Sequence, residues 1–180
     1  KQSEFHAQSV HVIGAGIMGG DIAAWCALRG LRVTLQDQSA ERIAPAIDRA
    51  HNLFKRQLKT ELSIRAAMDR LIPDVAGSGI CKADVVIEAI FENLDAKQNL
   101  LKQIEPQLQA HTILATNTSS IPLESLASCL QQAQRLVGLH FFNPVAKMQL
   151  IEIVSGDETD QNCAVQAATF ARQIGRLPLP

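Results

Sequence analysis

A histidine and a glutamate twelve positions apart, His140 and Glu152, interrupt two apolar runs, GLHFF and QLIEIV. Both runs have the short, β-branched and aromatic character of strands. A charged side chain inside a buried strand is costly unless a partner meets it. Asn143-Pro144 breaks the first run, and the midpoint of the two residues, position 146, falls inside the connection. An antiparallel return centred there sets His140 opposite Glu152, where cross-strand neighbours lie ~5 Å apart at Cβ. An imidazole held by a carboxylate is a general base, because the carboxylate fixes the tautomer and stabilises the imidazolium that forms. The competing reading is a buried pair that only sets strand register.

A second set of residues points to a ligand that such a base could serve. GAGIMG, residues 14–19, is a G-x-G-x-x-G that follows a strand-like run and opens a helical one. Gly14 permits a tight turn, Gly16 lets backbone approach a pyrophosphate, and Gly19 lets helix and strand pack closely. The helix then starts at Ile17 and Met18, whose free N–H groups and dipole attract phosphate. Asp37 ends the next strand, eighteen residues beyond Gly19. An acid there accepts hydrogen bonds from ribose hydroxyls and repels a 2′-phosphate, which selects NAD over NADP. The alternative for Asp37 is a cap on the following helix. An alcohol oxidised beside such a cofactor gives up a hydride and a proton, and a neutral imidazole suits the proton.

Further polar groups sit at strand ends. Glu88 closes the apolar run Val85–Val86–Ile87, Glu92 lies in the loop after it, and Asn117, Thr118 and Ser119 follow HTILAT. Loops at the carboxyl ends of strands in an open α/β sheet line the ligand crevice. Asn93 and Ser119 are equally plausible as caps.

The elements that must position these residues alternate. Strands are expected at SVHVIG, LRVTLQ, near Ile72–Val75, and at ADVVIEAIF, HTILAT, RLVGLHFF and KMQLIEIV. Helices are expected over Ile17–Arg29, Ala40 to about Arg70, 94–109, after Pro122, and over Gln161–Gln173. The Ala40–Arg70 pattern carries a basic face of Arg49, Lys55, Arg56 and Lys59. This alternation predicts an α/β fold: a Rossmann-type, doubly wound, mainly parallel sheet with helices on both faces and an antiparallel extension near the C-terminus. Residues 1–8 read as a polar linker and residues 9–180 as one domain.

At 47% hydrophobic and 19% charged, the chain can build a core. A net charge of −1 and the lack of a basic, aromatic-interleaved cluster argue against nucleic acid and anionic membranes as partners. No apolar run approaches the ~20 residues of a membrane span. Cys26, Cys81, Cys129 and Cys163 are too scattered for a metal knuckle and read as reduced, mostly buried thiols of a reducing, cytoplasmic compartment. No metal is expected.

The pieces GAGIMGGDIA, VVIEAIFENLDAK, ATNTSS and GLHFFNPVAKMQLIEIV together resemble the 3-hydroxyacyl-CoA dehydrogenase family, over about residues 8–180. The resemblance implies an NAD-binding domain that serves oxidation of L-3-hydroxyacyl-CoA in fatty-acid β-oxidation. It makes His140 the catalytic base and Glu152 its partner, and it puts Ser119 and Asn143 between the substrate oxygen and nicotinamide. Glu92 and Lys97 match the family's cofactor-contacting pair. The helical pair from Ala40 to Arg70 matches an arm that contacts the CoA portion, through Lys55 or Lys59. The family's second, helical domain, with an active-site Asn and most dimer contacts, is missing from these 180 residues. VAKM after HFFNP resembles the multifunctional fatty-acid oxidation enzymes, which carry an enoyl-CoA hydratase domain in front. Lys1 at the start and RLPLP at the end read as cuts in such a longer polypeptide.

Overall fold

The computed structural model describes residues 4–180. Eight strands form one sheet: β1 (Ser9–Ile13), β2 (Arg32–Gln36), β3 (Leu71–Pro73), β4 (Val85–Glu88), β5 (Ile113–Thr116), β6 (Leu136–Phe141), β7 (Leu150–Val154) and β8 (Leu177–Leu179). Their order across the sheet is β3-β2-β1-β4-β5-β6-β7-β8. All neighbours are parallel except β6 and β7. The order reverses between β1 and β4, and an open α/β sheet has its ligand crevice at that switch.

The central strands are buried on both faces, so they read as continuous apolar runs. Val85 and Ile87, Ile113 and Ala115, Val137 and Leu139 pack into one core layer. That layer is closed by α1 (Ile17–Leu28), α2 (Ala40–Gln57), α3 (Glu61–Arg70) and α6 (Gln161–Gln173). The alternate residues Val86, Leu114 and Leu136 pack under α4 (Leu94–Ile104) and α5 (Leu123–Ala127). Helix α1 is buried nearly all round, and its small residues allow this: a Cβ on Gly20 would lie 2.7 Å from the Ala46 Cβ of α2.

Several boundaries differ from the sequence-based expectation. The Ala40–Arg70 pattern is two helices, because Thr60 starts a new one: its hydroxyl accepts from the Ser63 N–H and the Ser63 hydroxyl side returns to the Thr60 backbone. The helix expected over 94–109 ends at Ile104, and Pro106 sits in a following single 3₁₀ turn. β7 starts at Leu150 rather than near Lys147, since the Lys147 and Met148 N–H groups bond back to Pro144 O. The short β8 escapes periodicity altogether. The reading of four mostly buried thiols also needs revision. Cys26 and Cys163 are buried, burial pushing their thiols up to about 12 and about 11, but Cys129 is half-buried and Cys81 exposed. Of the leader, residues 1–3 lie outside the described residues. Phe5 and Ala7 pack on the core, and Ala7 exchanges two hydrogen bonds with the Gln173 side chain. No helix among the described residues is long and apolar enough to cross a membrane.

His11 occupies, on β1, the layer that Val86 and Leu114 fill on the next strands. It is fully buried. Its Nε2 donates to Gln36 Oε1 at 2.8 Å, so its Nδ1 accepts from the Thr34 hydroxyl at 2.6 Å. Burial lowers its pKa below the ordinary 6.5, against the Gln36 hydrogen bond and the nearby Asp74 charge. The unfolded chain therefore binds a proton that the native state refuses, and this part of the stability is present above about 6.5 and is lost on acidification. Unfolding in urea should give a lower midpoint at pH 5.5 than at pH 7. His11→Gln should flatten that dependence by up to about 1.4 kcal/mol per pH unit. Equal slopes in both proteins would show that His11 takes no part.

Candidate active site

A cleft of about 1030 Å³ opens at the carboxyl ends of β1, β2, β4, β5 and β6. Each strand brings one group of the sequence-derived set to it. From β1 comes the glycine turn. Gly14 has φ +105°, a conformation that favours glycine, and a Cβ there would meet Ala89 O at 2.5 Å. A Cβ on Gly19 would lie 1.8 Å from Gly14 O, whereas a Cβ on Gly16 would meet nothing within 4 Å. The turn is thus closed on its inner side and open toward the cleft, where Gly16, Ile17 and Met18 lie. No side chain caps α1, and its first turn has no acid. An outside anion is the natural partner for those N–H groups.

Asp37 follows β2. Its carboxylate accepts from the Ala15 N–H at 2.8 Å and from the Gln38 N–H at 2.7 Å. It does not cap the next helix, because Ser39 does so by accepting from Arg42 N. Asp37 lines the cleft and ties the glycine turn to the end of β2.

The β4 end holds a buried ion pair. Glu88 and Lys97 are 0% and 1% exposed and 2.5 Å apart. Glu88 also accepts from Thr116 Oγ1 and from the Ile90 N–H. Lys97 reaches Ile90 O and Glu92 as well, so its three protons all have acceptors. Glu92 in turn accepts from the hydroxyls of Thr118 and Ser120, on the loop after β5. Partial burial pushes the Glu92 carboxyl up, but those hydroxyls and the Lys97 charge outweigh it and hold it below the usual range. The loops after β4 and β5 are latched together in this way, with Ser119 between the two latching residues and on the cleft wall.

β6 and β7 supply the last pair. His140 pairs with Glu152 in the antiparallel register, and Nδ1 lies 3.0 Å from Glu152 Oε2. A carboxylate can only accept, so Nδ1 carries the proton and Nε2 keeps its lone pair. The Phe142 ring tilts against the imidazole, with centroids 4.6 Å apart. Asn143 and Ser119 share the cleft with His140. The expected burial of the pair is not found: His140 is 22% exposed and Glu152 47%. α4 and α5 cover their face of the sheet only as far as β6. Beyond it, Leu150, Glu152 and Val154 alternate outward while Ile151 and Ile153 turn into the core. The pair therefore avoids the desolvation that the apolar sequence around it suggests.

The helical pair matched to a CoA arm is α2 and α3. α2 and α3 pack on α1, and Arg49 of the basic face turns inward to Asp21 and Gly16 O. Lys55 and Lys59 are exposed and lie outside the cleft. Two features escaped the sequence. Asn117 Oδ1 accepts from the Phe141 N–H, strapping the β5 loop to the residue beside His140. Arg42 stands in the cleft beside Asp37 and Gln38. The sequence signal for Glu88 was present, as an acid closing an otherwise apolar strand.

The cleft offers what NAD requires: an uncapped helix start, open space over Gly16, an acid at the end of β2, and the exposed apolar side chains of Ile17 and Phe91 for flat rings. The comparisons agree. The model of the 3-hydroxyacyl-CoA dehydrogenase NAD-binding domain matches residues 9–180. A 3-hydroxybutyryl-CoA dehydrogenase from Escherichia coli is 37% identical, with a TM-score of 0.92 over 97% of this chain and 38% of its own. The (S)-3-hydroxybutyryl-CoA dehydrogenase of Ralstonia eutropha is 34% identical, with a TM-score of 0.88 over 97% of this chain and 63% of its own. The dehydrogenase part of a multifunctional enzyme from C. elegans is 27% identical, with a TM-score of 0.88 over 97% of this chain and 41% of its own. The chain spans less than two thirds of each of these relatives. It belongs to the 3-hydroxyacyl-CoA dehydrogenase family and comprises that family's NAD-binding domain.

Proposed function

We propose that this chain is the cofactor-binding half of an L-3-hydroxyacyl-CoA dehydrogenase that forms 3-ketoacyl-CoA in fatty-acid β-oxidation. The observation that carries the reading is His140, held by Glu152 and lining the same cleft as the phosphate-binding turn. NAD supplies the hydride acceptor. The chain's own part is to bind, orient and move one proton. Nε2 of His140 takes the proton of the 3-hydroxyl, and Glu152 holds the ring and balances the imidazolium charge. Ser119 and Asn143, beside His140, direct the substrate oxygen toward that lone pair.

The other half of the crevice is a helical domain, docked where Leu150, Val154, Leu177 and Leu179 leave an apolar strip beside Glu152. That domain holds the acyl chain near His140. Lys55 and Lys59 meet the CoA portion only if that portion extends past the cleft over α2. A fused enoyl-CoA hydratase domain and a reducing, cytoplasmic compartment complete the reading.

The test is NADH formation from a 3-hydroxyacyl-CoA by the chain joined to its helical domain. Glu152→Gln should lower turnover ~10²-fold or more while NAD affinity stays nearly unchanged, since the cofactor rests mainly on the glycine turn. Turnover at the wild-type level in a folded Glu152→Gln protein would reduce the pair to a register device.

A further inference from the structure

Arg42 breaks a local rule. It is the third residue of α2, where the positive end of the helix dipole disfavours a cation. Its side chain is exposed and has no hydrogen-bond or ion-pair partner among the described residues. Yet it lines the cofactor cleft together with Asp37 and Gln38. Asp37, by contrast, is fixed: its carboxylate is held by the Ala15 and Gln38 N–H groups. A fixed acid and an unpaired guanidinium thus face the same end of the cleft, the end where β2 presents its acid to the adenosine ribose.

We propose that Arg42 is a second, opposing determinant of cofactor choice: a cation placed to take a 2′-phosphate, whose attraction is overridden by Asp37. This rests on the assignment of the cleft to NAD. Asp37 repels the 2′-phosphate and accepts from the ribose hydroxyls. Arg42 offers a planar donor fork of the kind that binds phosphate. Selection of NAD is then a balance of two charges rather than the presence of one. A local conflict of this sort, a cation at the wrong helix end with nothing to pair with, is expected where function outweighs local stability.

The experiment is calorimetric titration of this chain with NAD and with NADP, read as the ratio of the two dissociation constants so that a general loss of affinity cancels. Asp37→Ser should shift the ratio toward NADP by at least about tenfold. Adding Arg42→Gln to Asp37→Ser should move it back by about tenfold, and Arg42→Lys should move it back less. NADP binding to Asp37→Ser should also weaken more steeply with salt while Arg42 is present. Asp37→Asn, which keeps an acceptor oxygen, repeats the cycle should serine loosen the turn. A ratio that ignores Arg42 in both Asp37 backgrounds would overturn the inference and leave the cofactor site standing. Failure of the unaltered chain to bind NAD would overturn both.

Discussion

Replacing Lys97 with methionine is expected to destabilise the domain by about 3–5 kcal/mol, the range for a buried ion pair that loses one partner. Methionine fills the space of the lysine stem, so the loss is one of charge and hydrogen bonding rather than of volume. Glu88 is fully buried and would keep only the Thr116 hydroxyl and the Ile90 N–H. Glu92 would lose its cation at the same time, and the latch between the β4 and β5 loops would rest on Thr118 and Ser120 alone. Removing both charges, as Glu88→Leu with Lys97→Met, should cost less than Lys97→Met by itself, because no orphan charge is left in the core. Urea unfolding of the three proteins measures this. A loss below about 1 kcal/mol for Lys97→Met would mean that water reaches Glu88 and that the pair is not a keystone of the two loops.

Gly19→Ala should abolish cofactor binding, weakening NAD by at least about a hundredfold, and should lower stability by ~1–3 kcal/mol or more. The new methyl would sit 1.8 Å from Gly14 O, a backbone atom. The turn has no room to retreat, since Gly14 itself closes on Ala89 O. Helix α1 must therefore lift off, and the N–H groups at its start leave their positions over Gly16. Gly16→Ala is the informative contrast. Gly16 has an ordinary extended backbone, φ −70°, and open space around it. Alanine there should leave the melting temperature unchanged yet weaken NAD binding, because the methyl enters the space left for the pyrophosphate. Similar melting losses in the two variants would refute this division between a packing glycine and a ligand glycine.

The parts of this structure that follow from spacing were legible in the sequence. Asp37 after β2, the glycines around the start of α1 and the His140–Glu152 register each rest on a period or a count, and the structure places them accordingly. What spacing does not encode was missed. The break at Thr60 depends on a reciprocal cap between two small hydroxyl side chains, inside a helical pattern that continues on both sides. The exposure of Glu152 depends on where α5 stops, a property of another segment of the chain. The Asn117 strap and the Lys97 hub join residues 24 and 9 positions apart through side-chain bonds that no periodicity marks. Apolar neighbours in the sequence suggest burial, but in β7 those neighbours alternate between a covered and an open face.

The β6–β7 pairing has a consequence for how this protein can vary. His140 and Glu152 meet because of strand register, and the segment between Phe141 and Leu150 contributes no bond to their contact. Residues added at the exposed positions 147–149 would therefore leave the pair intact, whereas Phe142 and Asn143 on the cleft wall and Val145 in the core are held in place. A slip of a single residue in β7 is another matter. It would exchange Glu152 with Ile151 or Ile153, turning the carboxylate into the core and an isoleucine toward the imidazole. Insertions at the exposed tip of the loop and insertions in the strand would thus have opposite fates: the first leaves the His140–Glu152 contact in place, the second abolishes it.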